Sequence, residues 1–417
     1  MCSYEEIDFF TDVSLLGNPY PYFDYLRSKG PVCRLPRYNA VAVTGHEEAL
    51  AVFSDPATFS SVNSANGPIP DLPFVPEGND IREQVARFRP QMYMAGQVVT
   101  QDGFRHSMLR SLLMQLFMPN RLKALEQYLR DLSNELIDTF SQGNRCELMQ
   151  SYATPYATLV IADLLGVPEE DRRLFRDRPP NVSGDERLQF LATYFHDYIS
   201  DRRRNPRNDI MSQITSAKYP DGSTPTITDM VNLACTLFAA GQDTTAKILC
   251  TSMRLLAERP DLQTLLRDEN QRIPDFVEEM LRFDGPIKID SRLVLRTTTL
   301  GGVDLKAGTT VCLFLDAINR DPRRHAKPAE IELDRPKARE HLAFGRGAHT
   351  CAGAPLARTE LRISLSRLLA RLHDIRIDEA VHGPRAARRI EYVPSYILRG
   401  LKELHLEFTA AERASAD

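Results

Sequence analysis

The feature that most constrains the fold is a long helical run, TDMVNLACTLFAAGQDTTAKILCTSMRLLAERP, at residues 228–260. Its first half is apolar on nearly every side, which predicts a helix that crosses the core rather than one that lies on the surface. Pro260 cannot donate a backbone hydrogen bond and predicts the end of this helix. A chain with such a helix needs other elements to cover it.

The segments around this run predict a mainly helical fold with a smaller β region, in a single domain over residues 1–417. Apolar residues recur at helical spacing from about 104 to 256, and further helices are expected at 46–55, 274–283 and 355–373. Strand-like stretches occupy 37–45, 291–318 and about 388–408. Residues 61–100 show little periodicity and predict a long functional loop, and residues 412–417 predict a disordered tail.

Composition narrows the function mainly by exclusion. The net charge of −4 gives no reason to expect bulk nucleic-acid binding, and 42% hydrophobic residues are typical of a soluble globular protein. No stretch is apolar for long enough to span a bilayer, and the acidic N-terminus lacks a leader pattern, so we expect a cytoplasmic protein without a membrane anchor. The seven cysteines form no CxxC pair, which disfavours disulfides or a zinc ribbon.

One cysteine, Cys351, lies in a loop rich in glycine, FGRGAHTCAG, directly before a predicted helix. A lone cysteine is more often a buried apolar residue than a ligand. The glycines do not form a dinucleotide-binding fingerprint, because Thr350 stands where GxGxxG needs glycine. A zinc site at His341, His349 and Cys351 lacks a second ligand cluster.

The hypothesis that remains is a thiolate ligand. Backbone N–H groups and the positive end of a helix both favour thiolate over thiol, and Phe344 supplies an apolar neighbour. Thiolate ligation of haem iron favours cleavage of the O–O bond. The loop resembles the haem-binding loop of cytochromes P450, FGxGxHxCxG, at every fixed position.

The resemblance implies roles for the residues of this loop. Cys351 is implied as the axial ligand of the haem iron, and His349 as a hydrogen-bond donor to a haem propionate. Phe344 is implied to shield the sulfur, and Gly345 and Gly353 complete the haem-binding motif.

The long helix carries a second motif, AAGQDTTA, at 239–246. Polar residues in a core helix have a simple structural explanation: the threonine bonds to a helix carbonyl, and the aspartate has a buried partner. A mid-helix hydroxyl can also open the backbone ladder locally. The motif is similar to the family's (A/G)Gx(D/E)T. The resemblance implies that Thr244 orients water and dioxygen, that Asp243 relays protons, and that Ala240 and Gly241 leave room for O₂.

Charged residues supply two more motifs. Glu279 and Arg282 suit an ordinary exposed helix pair, but they match the family's ExxR helix, with Arg335 as a structural third partner. DGFRHSMLR at 102–110 suits a solvated basic face, yet it matches a family segment in which His106 and Arg110 contact haem propionates. A further propionate ligand is implied at a single strand position, Arg292.

The resemblance covers about residues 19–408 and implies the P450 fold, with two departures. Pro179–Pro180 predicts a shortened or partly unwound roof over the substrate pocket. The long 61–100 segment predicts extra lid, with Met92, Tyr93 and Met94 as apolar contacts.

Later segments fall at the family's pocket-lining positions. These are Ile287, Lys288, Ile289, Tyr396 and Ile397. Lys288 has two interpretations, a partner for a substrate carboxylate or a side chain that extends to a propionate or to solvent.

The function implied is a haem-thiolate monooxygenase that uses haem b and O₂ to oxidise an apolar small molecule. Its electrons would come from NAD(P)H through a reductase and a 2Fe-2S or similar ferredoxin, and we expect a monomer. Candidate ferredoxin-docking residues are Arg105, Arg323, Arg324 and Arg346. Two alternatives stay open: a peroxide-driven haem oxygenase or isomerase, and a non-catalytic haem protein that binds a ligand.

Overall fold

The structure is a computed structural model that describes residues 4–64, 71–177 and 184–411. It divides into two compact units. Unit 1 comprises Met1–His106, Glu278–Cys351 and Glu391–Gly400, and unit 2 comprises Ser107–Val277, Ala352–Ile390 and Leu401–Asp417. The single domain stays a prediction. The expected tail at 412–417 and the unwound roof at Pro179–Pro180 fall outside the described residues.

Helices dominate the described chain. They are α1 Tyr20–Ser28, α2 His46–Ser54, α3 Arg82–Phe88, α4 Gly103–Leu116, α5 Pro119–Asp138, α6 Thr154–Leu164, α7 Glu169–Arg176, α8 Gly184–Arg204, α9 Ile210–Ser216, α10 Ile227–Glu258, α11 Pro260–Asp268, α12 Ile273–Phe283, α13 Leu315–Ile318, α14 Ala354–Arg371 and α15 Glu379–His382. The strands are β1 Val32–Leu35, β2 Ala40–Val43, β3 Phe59–Ser60, β4 Arg145–Glu147, β5 Ile289–Val294, β6 Thr298–Leu300, β7 Val303–Leu305, β8 Thr310–Phe314, β9 Leu372–Ile377 and β10 His405–Ala410.

The predicted core helix is confirmed as α10, in unit 2. It begins where the Thr226 side chain accepts a hydrogen bond from the Asp229 amide at 3.0 Å, and it ends just before Pro260, which opens α11. It packs against α6, α8 and α14. Gly241 permits the close approach to α6, because a Cβ atom there would lie 2.4 Å from Cδ1 of Ile161.

Unit 1 is built around a five-stranded sheet in the order β1-β2-β8-β5-β3. β2 and β8 are parallel, and the other neighbours are antiparallel. Val41 and Val43 of β2 pack in one apolar cluster, whereas Ala42 packs in another with Phe314. Successive strand residues thus point to opposite, equally buried faces. Unit 2 has its own three-stranded sheet, β4-β10-β9.

Three predicted elements differ from the structure. The stretch 61–100 was expected to be a loop, but α3 forms within it and buries Val85 against Ile81 and Leu293. A seven-residue helix with few apolar side chains is too short to show a helical period. The last long helix was expected to reach residue 373, but α14 stops at Arg371 and β9 follows at once. Of the strand expected at 388–408, only isolated bridges at Tyr392, Leu398 and Leu401 and the start of β10 form.

The length and hydropathy of the helices show whether any of them could span a membrane. In the described part of the chain, none of the helices is both long and apolar enough to cross a bilayer.

Candidate active site

The Cys351 loop is shaped by glycines that no other residue could replace without strain. Gly345 and Gly347 have φ of +62° and +71°, in the left-handed region that favours glycine. A Cβ atom on Gly347 would lie 2.2 Å from the carbonyl oxygen of Phe53, at the end of α2. The Cys351 amide donates to the carbonyl oxygen of Phe344 at 2.9 Å, which closes the loop.

Cys351 differs from the other described cysteines in its exposure. It alone among them is exposed, whereas the others are buried or half-buried, and α14 begins three residues later with Gly353 as its N-cap. Burial raises the pKa of all five of these thiols, to about 11 for Cys33 and Cys235, to about 12 for Cys146 and Cys312, and well above its usual range for Cys250. Cys351 is therefore the cysteine best placed to meet an external metal.

Unit 1 brings together the two predicted propionate histidines. The rings of His106 and His349 lie 4.0 Å apart between centroids, and Nε2 of His349 lies 3.8 Å from Oδ1 of Asp102. Burial alone would raise the pKa of Asp102, but the nearby imidazole of His349 and hydrogen bonds from Ser60 and the Ser61 amide outweigh it and hold that pKa below its usual range. Asp102 thus lies where it can orient the imidazole of His349. It is the first residue of the DGFRHSMLR motif, but no role was predicted for it from the sequence.

The two predicted propionate arginines have different surroundings. Arg110 follows His106 by one turn of α4, so both side chains share one helix face. Arg292 of β5 is buried, donates to Oδ1 of Asp290 at 2.7 Å, and lies with its guanidinium carbon 5.2 Å from the ring centroid of Phe53.

The AAGQDTTA segment of α10 interrupts an otherwise buried face. Ala239 and Ala240 are exposed, although the residues before them along the helix are buried. The Thr244 hydroxyl donates to the carbonyl oxygen of Ala240 at 2.7 Å, and the α-helix continues through this point. Thr244 therefore bonds to a helix carbonyl, as the simpler interpretation of this motif expected. The small side chains of Ala239 and Ala240 leave open space beside it.

Asp243 has partners that the sequence did not predict. Its carboxylate lies 3.9 Å from Nη1 of Arg187 on α8 and 3.8 Å from Nζ of Lys247, one turn later on α10. Arg187 also donates to the side-chain oxygen of Gln242. The Asp243 side chain keeps 41% of its surface exposed, so water can reach its carboxylate.

The predicted charge network is present in unit 1. Arg282 and Arg335 each donate to Oε1 of Glu279, at 2.7 and 2.9 Å, and all three side chains are at most 3% exposed. Burial would raise the pKa of Glu279, but the two guanidiniums and the Glu332 amide lower it below its usual range. This is a buried network and not an exposed helix pair.

The predicted pocket-lining stretches meet within unit 1. Ile287 forms an isolated bridge with Leu398, and the Lys288 amide donates to the carbonyl oxygen of Ile397 at 2.8 Å. Ile289 is buried and packs in the cluster to which Tyr396 contributes. Two segments far apart in sequence thus lie side by side.

Lys288 is buried and does not extend to solvent. Its Nζ atom lies 5.5 Å from the ring centroid of Phe9, and the side chain is largely enclosed. Burial is the main cause that lowers its pKa to about 8; Asp316 opposes this effect and Arg399 adds to it. Its role as a substrate anchor stays a prediction.

The predicted lid contacts diverge. Met92 is buried against Val85 and Leu293, whereas Tyr93 is 62% exposed. Met94 has φ of +52°, and its carbonyl oxygen accepts from the Thr100 hydroxyl at 2.7 Å. Of the three, Tyr93 has the accessible side chain.

The chain is similar to known proteins over most of its length. Residues 183–374 match the profile of the family described as Cytochrome P450. The chain is 30% identical to Cytochrome P450 monooxygenase PikC from Streptomyces venezuelae, over 97% of this chain and 95% of that protein. It is 32% identical to Nocardicin C N-oxygenase from Nocardia uniformis subsp. tsuyamanensis, over 86% and 89% of the two chains.

A solved structure is more similar still. Mycobacterium marinum cytochrome P450 CYP150A6, in the substrate-free form, is 53% identical to this chain and superposes with a TM-score of 0.94. The match covers 98% of this chain and 100% of that one. The chain belongs to the cytochrome P450 family. This P450 has the expected mainly helical fold and is a haem-thiolate monooxygenase that uses haem b, O₂ and, through a reductase, NAD(P)H.

The residues of this P450 fit a haem. Unit 1 offers an exposed thiol, Cys351, and two residues before it in the same loop the imidazole of His349, which lies beside that of His106 and can donate to a carboxylate. Within unit 2, the exposed methyl groups of Ala239 and Ala240 form a small apolar surface on α10.

Proposed function

We propose that Cys351 supplies the axial thiolate of this P450. The observation that carries the proposal is that Cys351 is the one exposed cysteine among the described residues, in a loop whose glycines are sterically required. The proposed propionate contacts are His106, Arg110, Arg292 and His349. Phe344, Gly345 and Gly353 shape the loop, and Ala240 and Gly241 are the proposed haem contacts on α10.

The chain's own residues supply protons. When bound, the haem activates O₂ so that one oxygen atom enters the substrate and the other leaves as water. We infer that Asp243 takes protons from solvent at its half-exposed carboxylate. The Thr244 hydroxyl gives its hydrogen to Ala240, so its oxygen lone pairs are left to accept a hydrogen bond from water and hold it in place.

The proposed substrate is an apolar small organic molecule. Contacts are proposed at Met92, Met94, Ala240, Ile287, Lys288, Ile289, Tyr396 and Ile397. Support comes from the bridge between Ile287 and Leu398, which sets the two late segments side by side. Tyr396 lies within electrostatic reach of the exposed Tyr93, and burial is the main cause that raises the pKa of its hydroxyl. Aromatic side chains favour flat, apolar molecules as neighbours.

The proposed electron donor is a small acidic ferredoxin, acting on a monomeric, cytoplasmic P450 of one domain. Arg346 is exposed, and the exposed ring of Phe104 lies beside Arg105 at the start of α4. Arg323 and Arg324 support docking less, because Arg323 pairs with Glu48 and Arg324 pairs with Glu340.

The docking surface is tested by the rate of ferredoxin-supported reduction over a range of salt concentrations. Arg346→Glu should slow reduction and flatten its salt dependence. Arg385→Glu, at another exposed arginine, should behave like wild type. Reduction by ferredoxin that does not respond to salt would remove this surface from the proposal.

The thiolate is tested by the carbon monoxide difference spectrum of the reduced holoprotein. A strongly red-shifted Soret band in wild type, absent in Cys351→Ala, is the expected result. NADH-dependent turnover with ferredoxin and reductase then separates a monooxygenase from a peroxide-driven enzyme or isomerase. A band typical of histidine ligation in both proteins would refute the role of Cys351.

A further inference from the structure

Two adjacent glutamates of α12 have different partners. Successive residues of an α-helix point about 100° apart, so Glu278 and Glu279 cannot face the same segment. Glu279 binds Arg282 and Arg335, as described above. Glu278 is also buried, with only 5% of its side chain exposed, and its Oε2 lies 3.1 Å from Nε2 of His341.

His341 stands at the entrance to the Cys351 loop. The amide of Ala343 donates to Nδ1 of His341 at 3.2 Å, so this nitrogen carries no hydrogen. Nε2 is then the protonated nitrogen and donates to Glu278. The imidazole is neutral, and a carboxylate fixes both its tautomer and its orientation.

The residues after His341 lead directly to the cysteine. The Leu342 amide donates to the side-chain oxygen of Asn319 at 2.7 Å, and the Gly345 amide donates to the Leu342 carbonyl at 2.9 Å. The Phe344 carbonyl in turn accepts from Cys351, and the rings of His341 and Phe344 lie 5.9 Å apart between centroids. A short series of bonds thus connects Glu278 to the sulfur-bearing residue.

We propose that Glu278 and His341 form a positioning pair for the thiolate ligand. The pair fixes the backbone on which Phe344 lies against Cys351, and so maintains the environment of the sulfur. Neither residue touches the reacting atoms. The proposal rests on the proposed role of Cys351, and it is separate from the network of Glu279, which contacts neither His341 nor the loop entrance in the bonds described.

The test follows how long thiolate ligation survives in the reduced carbon monoxide complex. Glu278→Gln keeps the shape of the side chain and removes the charge, and His341→Ala removes both bonds. We expect both variants to lose the strongly red-shifted band about tenfold faster than wild type, the lower end of the range for partners of metal ligands. His373→Ala, at an exposed histidine, serves as the matched control.

A conservative variant separates positioning from simple stability. His341→Asn retains an acceptor for the Ala343 amide, so it should lose the band more slowly than His341→Ala. The free energy of unfolding of each holoprotein is measured in parallel by far-ultraviolet circular dichroism. Band loss that merely follows this free energy, or that is as slow as wild type in Glu278→Gln and His341→Ala, overturns the positioning pair. A wild type without the thiolate band overturns the role of Cys351 instead.

Discussion

A buried histidine should make this P450 lose stability in mild acid. His325 lies seven residues after the end of α13 and is only 4% exposed, and its Nε2 atom has no hydrogen-bond partner. Burial lowers its pKa to about 4, and the neighbouring charges of Arg282, His46, Arg335 and Arg324 act in the same direction. The folded protein therefore holds this imidazole neutral.

The size of the effect follows from proton linkage. In the unfolded chain His325 binds a proton as the pH falls through about 6.5, whereas the folded protein binds it only near pH 4. The stabilisation is present above pH 6.5 and is lost as the pH falls toward 4. The difference between the two pKa values corresponds to about 3 kcal/mol, a large part of the roughly 5–15 kcal/mol that holds a typical protein folded.

His325→Phe removes the titrating group and keeps a ring of similar size. We expect the free energy of unfolding of wild type to fall about 3 kcal/mol further than that of the variant between pH 7 and 4. Denaturant titrations of the holoprotein at several pH values measure this difference. His373→Phe controls for the general exchange of histidine for phenylalanine. Parallel pH curves for wild type and His325→Phe would refute the reasoning.

Three further predictions concern the Cys351 loop, a buried carboxyl on α14 and the Asp243 carboxylate. Gly347→Ala should yield protein with little bound haem, measured by Soret absorbance per protein, because its Cβ atom meets the Phe53 carbonyl and its φ is strained. Burial raises the pKa of Glu360 to about 8, so wild type should lose stability from about pH 4.5 to 8 relative to Glu360→Gln; equal unfolding free energies across that range would contradict this. Asp243→Asn should slow product formation roughly a hundredfold with the carbon monoxide spectrum unchanged; undiminished turnover would exclude the proton role.

Local patterns allowed much of this structure to be predicted from the sequence. The core helix needs only its own apolar residues and its flanking proline, and α10 lies within two residues of the expected bounds. The Cys351 loop and the ExxR pair are likewise short motifs whose chemistry depends on neighbours along the chain. The Glu279 network was expected because the family resemblance supplied Arg335, which lies 56 positions away from Glu279.

Partners that depend on tertiary packing were not predictable. Arg187 reaches Asp243 from α8, and nothing in either segment specifies that these two helices pack with those residues in register. His341 was considered only as a weak zinc ligand, because Glu278 lies 63 positions from it in sequence. The short helix α3 and the strand β9 were missed for a related reason, since their burial comes from segments that a local period does not reveal.

The adjacent glutamates of α12 connect these two levels. The sequence EE marks one position as part of the ExxR motif and leaves the other looking like an ordinary surface charge. The helix turns about 100° between them, so burial of Glu279 against Arg282 and Arg335 directs Glu278 toward a different segment, at the entrance of the Cys351 loop. A buried carboxylate without a partner would be costly, and the nearest partner of Glu278 is His341, with the exposed Arg339 3.8 Å from its other oxygen. α12 therefore supplies one glutamate to the ion-pair network and the next to the entrance of the Cys351 loop. A change in the packing of α12 should alter the surroundings of the sulfur as well as the stability of the fold.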